Sequence, residues 1–162
     1  MTSSAPPRDN ILKHAALAFL IALVGYLFFY GCDAHLRARK GAWIVNFQAN
    51  TNGEPLLVID QPALNIHTQV LLAGEKATNT PGVAEFKSPL HLKTPFGRVR
   101  FHDLTYLPGT ITLDVYGHEV ELLPRTLVLN MKEVAWTNGI AYVLTPTNKI
   151  PGLKDRDYKG RR

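Results

Sequence analysis

A single cysteine, Cys32, excludes an intrachain disulfide and a thiolate metal cluster. No Asn-x-Ser/Thr acceptor occurs anywhere in the 162 residues. Equally absent are Gly-x-Ser-x-Gly, a phosphate-cradling glycine loop, His-Glu-x-x-His and Cys-x-x-Cys-His, so the usual hydrolase, nucleotide, zincin and haem templates find no foothold. Two tryptophans are too few for an aromatic base-stacking platform. Net positive charge is missing from the middle of the chain. The net +5 divides into +3 over residues 1–40, −2 over 41–145 and +4 over 146–162. A nucleic-acid domain concentrates Lys and Arg on its folded face, so nucleic-acid binding is not expected.

One long uncharged run is present. Ala15 to Tyr30 carries no charged side chain, and Ile11, Leu12 and Gly31 extend it to about 21 residues, roughly 30 Å of helix and the thickness of a bilayer core. A transmembrane helix is expected over 11–31, after a polar tail at 1–10. Its lipid-facing side chains would be Leu12, Leu17, Phe19, Leu20, Ile21, Leu23, Val24, Leu27, Phe28 and Phe29. Lys13 can snorkel to one headgroup layer, and Arg37, Arg39 and Lys40 in a basic linker at 32–41 can reach the other. Tyr30-Gly31-Cys32 outlines a lipoprotein cleavage site, but the bulky Phe29 and Tyr30 depart from the small residues such a site prefers; an uncleaved signal-anchor is the expectation. Counting basic residues near each end places the C-terminal part in the cytoplasm, whereas the signal-anchor pattern exports it. Export from an inner membrane is the reading adopted.

Beyond Lys40 the helical period gives way to short Val/Ile/Thr-rich runs punctuated by Gly, Pro and Asn every eight to twelve residues. This predicts one all-β domain over 42–145, a sandwich or partly open barrel of about seven to nine mostly antiparallel strands. Trp43, Val45 and Phe47 should share a face before a turn at Asn52-Gly53. Leu56–Ile59 reads as a strand covered on both faces, 65–73 as a third, and 84–87 as a short strand inside a long connection. Further strands are expected near 126–130, 133–136 and 140–145. Residues 146–162 read as a disordered basic tail.

The segment 98–123 predicts a three-stranded meander. A loop at Leu107-Pro108-Gly109 and a type II′ turn at Gly117-His118 pair His102 with Asp114 and Asp114 with Glu121. Val99, Phe101, Ile111, Leu113, Val115, Val120 and Leu122 then form an apolar face, and His102, Asp114 and Glu121 an exposed charged row. This row is the only cluster with acid/base or metal potential. A flat, solvent-facing row lacks the converging three-ligand geometry of a catalytic metal site, so neither metal, cofactor nor catalytic residue is expected. The expected role is a non-enzymatic, membrane-tethered module of a cell-envelope complex, partnered by another membrane or envelope protein. The alternative is lipid or glycolipid binding and transfer.

Overall fold

The computed structural model describes residues 10–78, 81–87, 94–103, 105 and 107–153, except for the side chains of 34 and 36–40. It contains one N-terminal helix and ten strands in two sheets. The chain divides into two compact units at Leu36/Arg37, within the last turns of the helix.

Helix α1 spans Ile11–Lys40. It opens on the Asn10 carbonyl, which accepts from the amides of Lys13 and His14. Its segment Ile11–Asp33, 23 residues, is long and apolar enough to cross a membrane. All ten expected lipid-facing residues are exposed. The helix also runs through the expected linker, so 32–40 is helical; the side chains of Arg37, Arg39 and Lys40 lie outside the described residues.

The first sheet has the order β10-β3-β2-β1-β4, built from β1 (Trp43–Ala49), β2 (Pro55–Gln61), β3 (Ile66–Leu72), β4 (Gly82–Phe86) and β10 (Ala141–Leu144). The second has the order β5-β6-β7-β8-β9, built from β5 (Arg98–Asp103), β6 (Thr110–Val115), β7 (His118–Leu122), β8 (Leu127–Leu129) and β9 (Lys132–Val134). All neighbours are antiparallel except β10, which runs parallel to β3. The ten strands among the described residues exceed the seven to nine expected.

Alternation along β1 places Trp43, Val45 and Phe47 in the core, as the sequence pattern predicts. Leu57 and Ile59 of central strand β2 join them, with Val70 and Leu72 of β3. The second sheet contributes Ile111, Leu113, Val120, Leu122 and Leu127 to the same cluster. Two tryptophans tie the parts together. Trp43 donates from Nε1 to the Gly109 carbonyl at 2.6 Å and stacks on Trp136, whose Nε1 donates to Leu123 at 2.9 Å.

The expected polar tail begins later than Pro146. A 3-10 turn at Pro146–Asn148 leads to Leu153, which is buried. The Ile150 amide donates to the Gly117 carbonyl at 3.1 Å, and Lys149 pairs with Glu75 at 2.5 Å. Residues 146–153 therefore form a strap held to the β-body, while 154–162 lie outside the described residues.

Candidate functional site

The meander of β5, β6 and β7 forms, but in a different register. Val115 pairs with His118, so the two-residue turn is Tyr116-Gly117 and not Gly117-His118. Both residues have positive φ (51° and 81°), which is a type I′ turn whose twist suits a hairpin. Tyr116 is held there by tertiary contacts: its ring tilts against Phe96 and its hydroxyl accepts from the Thr78 amide at 3.2 Å. The β5–β6 connection is also longer than expected, since Asp103 pairs with Thr110.

A bulge at Arg100 completes the correction. Val99 pairs with Leu113, but Phe101 pairs with Thr112, so the strand inverts its faces midway. Phe101 leaves the expected apolar face and is 43% exposed. His102 turns inward, and its ring packs edge-on against Phe86 at 5.9 Å. The expected row of His102, Asp114 and Glu121 therefore does not exist. Asp114 lies opposite Glu119, and Glu121 lies opposite Thr112.

Nor is the charged face exposed. Asp114 and Glu119 are each only 7% exposed, and each is compensated by an arginine from β5. Arg98 Nε lies 3.2 Å from Asp114 Oδ2, and Arg100 Nη1 lies 2.5 Å from Glu119 Oε2. Gly97 allows this approach. A Cβ there would sit 2.4 Å from the Asp114 carbonyl, and its φ of +83° already favours glycine. Glu121 is left without an arginine of its own. Burial first, then the Glu119 charge, push its carboxyl above the usual range, with Arg100 opposing. A cavity of about 150 Å³ lies beside Arg100, Phe101, Thr112 and Glu121, smaller than a typical small-molecule site. Among the described residues no group of three or more His, Cys, Asp or Glu side chains is placed to hold a metal ion.

A second feature was not legible in the sequence. Asn130 sits in the β8–β9 turn at positive φ and joins three elements. Its Oδ1 accepts from the Glu119 amide at 3.0 Å, while its Nδ2 lies 3.0 Å from His118 Nδ1 and donates to the Asn148 carbonyl at 2.7 Å. Strand β7, the β8–β9 turn and the C-terminal strap are thereby fixed together. His118 is fully buried; burial first, then Lys149, depress its pKa, with the Asn130 bond and Glu75 opposing.

Between these elements lies a cleft of about 540 Å³. Its walls are Leu129, Met131 and Val134 on one side and Leu144 on the other, with Ile150 and Pro151 of the strap over it. Lys132 stands at its edge.

The four sheet edges differ. On β4, Pro95 approaches Gly82 so closely that a Cβ there would lie 2.8 Å from the proline ring, and Glu85 pairs with Lys87. Edge β5 is bulged and carries Arg98 and Arg100, and β9 is three residues long with Lys132 and Glu133. These are the usual protections against edge pairing. Strand β10 is also short, at four residues, but carries no bulge, charge or proline. Among the described residues its one strand neighbour is β3; it includes the exposed Val143 (51%) and follows the exposed Ile140 (56%).

Comparison with protein-family models, curated proteins and solved structures finds no match to this chain.

Proposed function

We propose that the chain is a membrane-tethered, non-enzymatic β-sandwich module that joins a cell-envelope complex through the open edge of β10. The exposed apolar segment Ile11–Asp33 supports the tether, because that many large apolar side chains in water would associate or insert. A single core cluster fed by both sheets supports the sandwich. The observation that carries the interaction role is the contrast between β10 and the other three edges. An uncharged apolar edge offers a partner strand the free backbone groups of its open side, short as β10 is.

The signal-anchor pattern supports export of the β-body from an inner membrane. With Cys32→Ser and Thr147→Cys, a membrane-impermeant thiol reagent labels position 147 from outside the inner membrane; protection until lysis would place the body in the cytoplasm. Thr147 is exposed, so the readout reports compartment and not burial. For the edge itself, Val143→Lys is expected to convert a large complex in mild-detergent membrane extracts to the monomer on native gels, with the unfolding midpoint unchanged. A complex that survives Val143→Lys and Ile140→Lys together would remove β10 as the contact.

Lipid handling is the second reading. Packed side chains fill the space between the sheets, and the observation that favours a lipid is the apolar cleft beside β9 and β10.

A further inference from the structure

We propose that the cleft under the C-terminal strap binds one acyl chain of an anionic membrane lipid, with the lipid headgroup at Lys132; this rests on the membrane-tethered reading above.

Four observations lead there. The volume of about 540 Å³ falls in the range of small-molecule sites, and apolar side chains (Leu129, Met131, Val134, Leu144, Ile150 and Pro151) make up just over half of a lining whose remainder is polar. The site is also preformed. Asn130 bonds the turn that carries one wall to β7 and to the strap that forms the roof, so the backbone around the cleft is already ordered before binding.

The charge at the mouth is specific. Lys132 pairs with Leu129 across β8 and β9, so its side chain starts from the core-facing side of the sheet and overlooks the cleft. Among the described residues it makes no ion pair, whereas Lys149 is taken by Glu75 at 2.5 Å and Lys87 by Glu85 at 2.6 Å. An inward charge on an edge strand can also serve to discourage edge pairing. That role accounts for a lysine on β9, but not for the aliphatic cleft it overlooks.

Met131 supplies the adaptable lip. It sits at φ 67°, 63% exposed, at the tip of the β8–β9 turn, where Gly or Asn would be easier. An unbranched thioether can shape itself to a flexible chain in a way those residues cannot. The lipid source is the bilayer that the helix would enter, and an anionic headgroup is the complement of an unpaired ammonium.

The test uses the full chain in vesicles of mixed phosphatidylglycerol and phosphatidylcholine. One sample carries a trace of phosphatidylglycerol with a photoreactive diazirine on its acyl chain, and a parallel sample carries the phosphatidylcholine equivalent. Labelled peptides are mapped by mass spectrometry. The expected result is label from the phosphatidylglycerol probe on peptides holding 129–134 and 144–151. Lys132→Glu should lower it by more than about fivefold, the worth of one lysine beside an anionic headgroup with the repulsion of the new carboxylate added. Val134→Trp, which fills the cleft, should remove it, and label on the 11–33 helix should stay constant in every variant. Lys132→Glu alters an exposed side chain, so it remains informative if the tryptophan variant misfolds.

Label on the helix with none in the cleft overturns the proposal and leaves the tether intact. Equal labelling by both probes, indifferent to Lys132→Glu, overturns the headgroup assignment and with it the proposal. Absence of label on the helix as well would remove the tether first. A protein cross-linked into the cleft in native membranes would give the site to a partner strand and overturn the lipid.

Discussion

The Arg100 guanidinium passes over strand β6 to reach Glu119 on β7, with Nη1 and Oε2 2.5 Å apart. The bulge makes this possible by freeing Arg100 from regular pairing. Both side chains are mostly buried, at 17% and 9% exposure, so neither is well solvated without the other. Removing one partner of such a pair strands the remaining charge. Arg100→Met is expected to lower stability by about 3 kcal/mol in urea unfolding of the detergent-solubilised chain. The double change Arg100→Met with Glu119→Gln should recover more than about 1 kcal/mol of that loss. Additive losses would show that the two side chains do not act as a pair.

Glu121 is the carboxylate on this face without an arginine of its own. Burial and the neighbouring Glu119 charge raise its pKa, so ionisation is less favourable in the fold than in the open chain. The sign follows: the folded state holds its proton to higher pH, and stability falls as pH rises from the ordinary 4.5 through the folded value. Glu121→Gln abolishes that loss. Its thermal midpoint should exceed the wild type at pH 7 and converge with it near pH 4. A lower midpoint at pH 7 would mean that the Glu121 carboxylate makes a bond that the amide cannot replace.

Composition and period were enough to locate the helix and most strands. Their signals are local: an uncharged run, alternation in Trp43-Ile-Val-Asn-Phe47, and turn residues between strands. The register between strands was not local. Arg98, Arg100 and His102 alternate as in a regular strand, and a bulge at Arg100 leaves that pattern untouched while reversing which face His102 occupies. Tyr116 is a poor turn former by type, and takes its left-handed conformation from Phe96 and Thr78, more than twenty residues away in sequence or nearly so. Burial of Asp114 depends on an arginine from another strand, and charge alone suggested exposure. The strap at 146–153 reads as disordered by its Pro, Gly and Lys content, yet buried Leu153, the Ile150–Gly117 backbone bond and the Asn130 side chain hold it. Open edge β10 became visible only with the parallel pairing to β3, a contact about seventy residues apart in sequence.

The β8–β9 turn offers a test in which adjacent residues respond with opposite signs. Asn130 and Met131 both have positive φ, 49° and 67°. Asn tolerates that conformation and here also satisfies the Glu119 amide and the Asn148 carbonyl. Asn130→Ala should cost about 2 kcal/mol or more, from an unmet amide together with the left-handed penalty. Met131 is exposed and has only the penalty, so Met131→Gly should stabilise the chain by about 1 kcal/mol. Urea midpoints check both. Destabilisation by Met131→Gly would show that the Met131 side chain makes packing contacts worth more than the backbone strain it carries.

Two inward histidines set the acid limit of the fold. His102 and His118 are both held below the ordinary 6.5, chiefly by burial, and the Nε2 of each has no protein hydrogen-bond partner among the described residues. The unfolded chain therefore takes up these protons before the folded one does. Their contribution is complete above about pH 6.5 and is lost as pH falls toward the folded values. Glu121 opposes the trend only between the ordinary 4.5 and its own folded value, where its shift makes stability fall with rising pH. Urea midpoints should drop as the pH is lowered from about 7.5 to about 5.5. His118→Gln cannot be protonated in this range and can still present an oxygen to Asn130. It should start from a lower midpoint at pH 7.5 yet change less on acidification, and a pH slope equal to that of the wild type would exclude His118 as a titrating group.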